Sequence, residues 1–405
     1  MAIAYTLALP PSNLLTHAEE ASETPIEETA EEATEESASE EAPLPLAPLV
    51  CPESDPALSL AAQDTQLFTD ASERQALLNA IDNSLDYLRT PGSVTAYRGY
   101  AVPGVTHSRV RRSLSRLRTL ITQSESAEEL QDAIAEEFEF YQSTGNDRAG
   151  TVAFTGYFEP TYRASRTPNE TYRYPIYRRP PTLDAWDEPH PTRAELEGAD
   201  GLQSDRGELA GLELAWLPSR IEAFLIQVQG SARLEMSDGS TLSVGYDGRT
   251  NYPYVSMGRE LIDDGIIPED ELTLPVLLEY FEQNPEALDE YLPRNNRFVF
   301  FRETDGAPAT GSLGYPVTAG RSIATDKSLM PPGAIALINL PLPQRNEDGE
   351  LVAAPTSRFV LDQDTGGAIK GAGRVDLFVG TGTEAGEIAG LINDTGLLYY
   401  LLIKE

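Results

Sequence analysis

The sequence predicts a mainly β molecule, a β-barrel core with helices appended. Three observations predict it. Beyond Gly145 the apolar residues change from helical spacing to strict alternation. The alternating runs are short, as barrel strands are. Long connections separate them, which leaves room for helices packed outside the barrel. A chain of 405 residues can also bury the core of two or three domains.

The elements follow in chain order. Residues 1–18 hold a short apolar stretch without the basic n-region of a secretory signal, so they read as a weak or truncated one. Between Glu19 and Glu41 stand 11 glutamates, and the first basic residue is Arg74. Such a stretch cannot bury enough apolar surface to offset its ordering entropy. Residues 1–58 are therefore expected to be a weak signal and a disordered acidic linker, with Cys51 an ordinary thiol. Asp70 and Glu73 form a capping box ahead of Leu77, Leu78, Ile81, Leu85 and Leu88, one face of a helix. Val110, Leu114, Leu117 and Ile121 mark a second. Ser126 with Glu129 caps a third, carrying Leu130, Ile134 and Phe138.

Residues 151–160 and 172–180 then read as strands. Residues 221–236, the turn Asp238-Gly239 and the segment 240–248 read as a hairpin. Short helices are expected near 256–264 (ended by Gly265), 274–283 and 285–291. Strands are expected in RFVFFRE, AIALINL, SRFVLDQD, RVDLFVG and the final LLYYLLI, with a helix near 383–391.

Composition excludes several functions. The 65 acidic residues against 30 basic ones leave a net charge of −35, the wrong sign for nucleic acid or for a polybasic membrane surface. Only Lys327, Lys370 and Lys404 are lysine; the other basic residues are arginine. One cysteine forms no internal disulfide and no thiolate metal site, and His17, His107 and His190 lack metal-ligand spacing. No metal and no cofactor are expected. No apolar run reaches the ~18 residues of a membrane span. The chemistry must come from carboxylates, hydroxyls and backbone.

The densest candidate is FVLDQDTGGAIKGAGRVDLFVG, residues 359–380. Asp362 and Asp364 lie two apart on a strand, so alternation puts both on one face. Asp376 sits between Val375 and Leu377. Buried, its carboxyl would hold a proton to higher pH and suit it to acid catalysis of glycosidic cleavage. Facing solvent, it would be an ordinary strand residue, and the pattern leaves both readings open. Gly366 and Gly367 permit close backbone approach to a ligand. Asp394-Thr395-Gly396 repeats the Asp364-Thr365-Gly366 triplet of an aspartic protease, but two copies 30 residues apart cannot occupy two lobes, so the second is expected to be a turn. Gly380-Thr381-Gly382 fits no phosphate-loop spacing and is expected to lead into the following helix. In Gln227-Val228-Gln229-Gly230-Ser231 two amides share a strand face beside a hydroxyl, and Tyr246, Asn251 and Tyr254 follow; such groups recognise sugar hydroxyls and ring faces.

At these residues the chain resembles a known family. DTGGAIKGAGRVDLFVGTGTEAG is similar to the three-aspartate (3D) domain. TGYFEP, YPIYRRP, FLIQVQGSARL, NNRFVFFRE and YPVTAGRSIATDKSLMPPG come in the order of membrane-bound lytic murein transglycosylase A, across 151–405. The resemblance departs at Thr250-Asn251, where the family carries Asn-Gly, and at Asn295-Asn296, where it carries Asn-Pro. It implies a double-psi β-barrel domain, an inserted second β-domain and a glycan groove between them. The implied divisions are 59–160 (helices and the start of the barrel), 161–304 (insert) and 305–405 (rest of the barrel). The implied activity is non-hydrolytic cleavage of the β-1,4 bond between N-acetylmuramic acid and N-acetylglucosamine, leaving 1,6-anhydromuramic ends.

By motif, the family's catalytic aspartate falls on Asp376, as acid and then base, with Asp364 supporting it. Thr155, Gly156, Tyr157, Gln229, Gly230, Ser231, Gly366 and Gly367 fall on glycan-contacting segments, and Asp326 on a structural position. The implied partner is the peptidoglycan glycan strand, met by a monomer in the cell envelope, in the periplasm or at the outer membrane's periplasmic face. With no lipobox cysteine evident, a soluble form is favoured over a lipid-anchored one. The alternative is a non-catalytic glycan-binding double-psi barrel.

Overall fold

The computed structural model describes residues 44–49, 64–203 and 207–405. The signal and most of the acidic linker expected over 1–58, with Cys51, lie outside the described residues. Leu46–Pro48, inside that expected linker, form instead a short strand, β1. Three main helices follow: α1 (Ala71–Tyr87), α2 (His107–Gln123) and α3 (Ala127–Glu137). Each begins where a side-chain oxygen accepts a free N–H. Asp70 accepts from Ser72, Thr106 from Arg109, and Ser126 from Glu129. The expected Asp70–Glu73 box is only half formed, because the Glu73 carboxylate pairs with the buried guanidinium of Arg321. Leu77, Ile81, Val110, Leu114, Leu117, Ile121, Leu130 and Ile134 are buried in one core with the barrel.

Strand β2 (Phe138–Ser143) leaves α3 directly, and β3 (Val152–Glu159) starts the barrel. Between β3 and the rest of the barrel come β4 (Thr161–Ala164), β5 (Tyr174–Tyr177), β6 (Glu213–Leu217), α4 (Arg220–Gln229), β7 (Ser231–Met236), β8 (Thr241–Arg249), α5 (Leu274–Gln283) and β9 (Val299–Glu303). The chain then returns through β10 (Ser322–Ala324), β11 (Ile335–Arg345), β12 (Leu351–Asp364), β13 (Arg374–Thr381), α6 (Thr383–Leu391) and β14 (Asn393–Ile403).

The large sheet has the order β1-β2-β14-β11-β12-β10-β13-β3, and β3 also pairs with β14. Six strands therefore close on themselves, which removes free sheet edges. β10 with β12 and β13 with β3 are parallel; the other barrel pairs are antiparallel. This is the double-psi barrel implied by the resemblance. β14 serves two purposes along its length. Asn393–Gly396 pair with β3 and close the barrel, whereas Tyr399–Ile403 pair with β2 and extend the sheet. Asp394-Thr395-Gly396, expected as a turn, is thus the opening of a strand. Gly396 is needed there because a Cβ would lie 2.3 Å from the Asn339 carbonyl of β11.

The insert holds a second sheet, β4-β7-β8-β9, and the ribbon β5-β6. The β7–β8 hairpin turns at Asp238-Gly239 as expected, with Gly239 at φ +84°. Residues 221–229, expected as a strand, form helix α4 instead, ended by Gly230 at φ +78°. Ala223 through Gln229 are all buried, so apolar side chains surround the helix and leave no single stripe to reveal its period.

Candidate functional site

Register brings the expected aspartate to a single row of the barrel. Asp364 and Asp376 both pair with Ala324, from opposite sides of β10, and Asp376 pairs in turn with Thr155. Ala324 is the small residue between two carboxylates. Val375 and Leu377 point into the main core, whereas Phe378 joins Tyr157, Val317, Ala324 and Ile369 in a separate apolar cluster. Asp362 and Asp364 do not share a face as alternation implied. The register slips between Ile323 and Ala324, leaving Gln363 over as an extra residue. Asp362 accepts from the hydroxyls of Tyr400 and Thr325 and from the Lys327 ammonium. Asp364 accepts from the Tyr157 hydroxyl at 2.9 Å and from the N–H groups of Ser312 and Thr365 at 2.8 Å.

Asp376 is 0 % exposed. Its Oδ1 accepts from the Thr155 hydroxyl and, at 3.2 Å, from Arg374 Nη2. Arg374 Nη2 also donates to Thr155 Oγ1 at 2.6 Å, so the three groups form a closed triangle. Asp376 Oδ2 is buried and has no hydrogen-bond partner among the described residues. Burial pushes this carboxyl up to about 6; Arg374 and Thr155 pull it down, and Asp364 adds to the rise. Burial in turn lowers the Arg374 guanidinium, which Asp376 opposes. Arg374 carries no motif signal of its own. Its position two residues before Asp376 is what sets it on the same face.

The other expected residues are distributed around this triangle. Thr155 is buried within it. Gly156 lies under α6, where a Cβ would meet Ala389 Cα at 2.7 Å. Tyr157 is 1 % exposed, and its ring lies 5.2 Å from that of Phe378. Gln229, on the last turn of α4 rather than on a strand, accepts from Phe158 N at 3.2 Å, and its Nε2 is buried with no partner among the described residues. Thr155, Gly156, Phe158 and Gln229 line a crevice of about 20 Å³ with Leu274 and Asn393. Gly230 ends α4, and Ser231 begins β7 opposite Gly245. Gly366 and Gly367 follow Asp364. A Cβ on Gly367 would fall 1.5 Å from Arg297 Nη1, so the glycine lets that guanidinium rest on the backbone. Arg297 is 5 % exposed, lies over the Tyr254 ring at 6.0 Å, and its Nη1 has no hydrogen-bond partner among the described residues. Burial lowers it to about 10. Asp326 accepts from Ser328 and Gly371, tying two loops together.

Comparison with known proteins identifies relatives of both parts of the chain. Residues 153–302 match the MltA specific insert domain, and residues 321–402 match the 3D domain. The membrane-bound lytic murein transglycosylase A of Vibrio cholerae is 36 % identical over 268 residues, 65 % of this chain and 69 % of that protein. The Escherichia coli K12 protein of the same name is 35 % identical over 263 residues, 64 % of this chain and 68 % of that one. Among solved structures, the membrane-bound lytic murein transglycosylase from Agrobacterium tumefaciens superposes with a TM-score of 0.66 at 28 % identity, over 84 % of this chain and 94 % of that one. E. coli MltA with bound chitohexaose also gives 0.66, at 26 % identity over 89 % and 95 %. The chain belongs to the membrane-bound lytic murein transglycosylase A family.

Proposed function

We propose that this chain cleaves the β-1,4 bond between N-acetylmuramic acid and N-acetylglucosamine without water, with Asp376 as the one acid and base. The observation that carries the reading is the unpartnered Oδ2 of a fully buried carboxyl held up to about 6. Thr155 and Arg374 occupy Oδ1, so the proton belongs on Oδ2. From there it passes to the glycosidic oxygen, the C1–O bond breaks and positive charge develops at C1. The carboxylate left behind then takes the proton of the C6 hydroxyl, whose oxygen bonds to C1 and closes the 1,6-anhydro ring. Arg374 stabilises the carboxylate between the two transfers. Asp364 acts as a supporting like charge, braced by Tyr157.

Gln229 Nε2 is the free donor for the glycan, with Thr155 and Gly156 on the opposite wall of the crevice. Gly230, Ser231, Gly366 and Gly367 give the backbone its close approach. The place of action is the cell envelope, the periplasm or the periplasmic face of the outer membrane, because the polymer is there. The test is mass spectrometry of muropeptides from sacculi treated with the chain and with Asp376→Asn. Products one water lighter than hydrolysis products, absent with the variant, are expected. Hydrolytic reducing ends would overturn the anhydro mechanism. Tight pelleting on sacculi without products would move the protein to the glycan-binding class.

A further inference from the structure

The crevice beside the Asp376 triangle takes one wall from the barrel, with Thr155, Gly156 and Ala389, and the other from the insert, with Gln229 and Leu274. A sugar held by Gln229 therefore meets Asp376 only while the two parts keep their separation. Apolar packing does little to fix it. Among the described residues no cluster of buried apolar side chains has members from both parts. Two clusters belong to the barrel and its helices, and three to the insert. Phe158 of β3 is the barrel residue that crosses, a half-buried ring packed against an insert cluster. An ion pair at 2.9 Å between Glu159, at the end of β3, and Arg233 of β7 adds a link.

Arg297 makes a contact of another kind. The insert holds its guanidinium from two sides, through the Tyr252 carbonyl, which accepts from Nε at 3.0 Å, and through the Tyr254 ring. Its far end stands against the barrel. Nη1, Cζ and Nη2 are the three atoms nearest to where a Cβ on Gly367 would be. Gly367 is not at a positive φ, so its own backbone does not call for glycine; the guanidinium does. Because Nη1 makes no hydrogen bond among the described residues, the contact limits approach and does not pull. Burial and the neighbouring Arg249 both disfavour the charge, so the contact is not there for stability. The two places where the chain departs from the family pattern, Thr250-Asn251 and Asn295-Asn296, meet behind this side chain. Thr250 Oγ1 accepts from Phe298 N at 2.9 Å and donates to the Asn296 carbonyl at 3.4 Å. Asn295 Oδ1 accepts from the N–H groups of Arg297 and Val255, each at 3.3 Å. We propose that Arg297 is a positioning residue for the reaction, a spacer between the insert and the Gly366-Gly367 loop that sets the distance from Gln229 to Asp376. Thr155, Arg374 and Asp376 all lie on barrel strands. Removing the spacer thus moves the glycan wall and leaves the surroundings of the carboxyl as they are.

This inference deepens the glycan-cleaving reading, and one of its two readouts does not depend on that reading. In full-length chains carrying Cys51→Ser, spin labels at Glu282→Cys on α5 and Glu347→Cys in the β11–β12 turn, both exposed, report the separation of the two parts by pulsed EPR. The labelled parent is expected to give one narrow distance distribution, Arg297→Ala a broader one and Gly367→Ala a shifted one. Gly367→Ala added to Arg297→Ala is expected to change nothing further, because the atoms its methyl would meet are gone. The second readout is steady-state cleavage of peptide-free glycan strands. Arg297→Ala is expected to lower kcat/KM tenfold or more with the alkaline limb of the pH–rate profile unmoved. Arg297→Lys keeps the charge without the flat guanidinium and is expected not to restore the rate. Unchanged distances in Arg297→Ala, or a Gly367→Ala effect undiminished in that background, would overturn the proposal. So would a displaced limb or full rescue by lysine, since either would mean that Arg297 acts on Asp376 through its charge. If Arg297→Ala does not fold, the distances in Gly367→Ala and Arg297→Lys decide. Absence of cleavage by the unaltered chain would sink the cleaving reading, while the distances would still decide the spacer.

Discussion

Replacing Asp376 by asparagine keeps the shape of the side chain and removes its proton equilibrium. Asparagine Oδ1 still accepts from Thr155 and Arg374, so the variant differs from the parent by a constant offset plus the titration of one carboxyl. In the unfolded chain that carboxyl ionises near its ordinary value of 3.8; in the fold it holds its proton to about 6. Between those two values the native state keeps a proton the unfolded state has released, so the parent loses stability as pH rises through the window. About two pKa units correspond to about 3 kcal/mol. Urea unfolding of both proteins at pH 4, 6 and 8 measures the difference. The variant is expected to gain about 2.4 kcal/mol on the parent between pH 4 and pH 8, since the unfolded carboxyl is already partly ionised at pH 4, with nearly all of the change complete by pH 7. Parallel stability curves would refute the reasoning, because they would mean that Asp376 titrates in the fold as it does in water.

Three further predictions follow from the same geometry. Arg374→Met removes the cation that pulls Asp376 down, so the alkaline limb of the pH–rate profile, near pH 6 in the parent, moves to higher pH in steady-state assays. Gly156→Ala drives a Cβ to 2.7 Å from Ala389 Cα and 2.9 Å from its carbonyl, backbone that cannot swing aside. It should cost about 1–3 kcal/mol, seen as a lower urea midpoint with an unchanged slope. Tyr157→Phe removes the hydroxyl that donates to Asp364 at 2.9 Å and keeps the N–H donors of Ser312 and Thr365. A loss of about 1–2 kcal/mol is expected in the same assay.

What was legible in the sequence was what short-range chemistry determines. Asp238-Gly239 announced its hairpin because a positive φ is cheap there, and Ser126 announced a helix start because its hydroxyl reaches the Glu129 N–H. Asp376 stood out from its apolar neighbours, but the choice between burial and exposure depended on side chains such as Tyr157 and Val317 packing against Phe378 on that face, and neither is near it in the chain. Gln229 was picked out while its helix was misread, since a segment buried all round shows neither period clearly. Asp362 and Asp364 looked like a pair only under perfect alternation, which the extra residue Gln363 breaks. Arg297 escaped notice because its significance comes from resting on Gly367, 70 residues later.

The double pairing of β14 has a consequence for how the molecule is made. The first barrel strand, β3, finds its barrel neighbours in β13 and β14, more than 200 residues later. The helices and the β7–β8 hairpin can form from neighbouring residues, but the row that carries Asp376 cannot be completed until β13 and β14 have been made. Such long-range closure is slow. The Asp376 carboxyl is consequently among the last groups in the molecule to leave water, and a chain lacking β14 should be inert even with every residue of the triangle present.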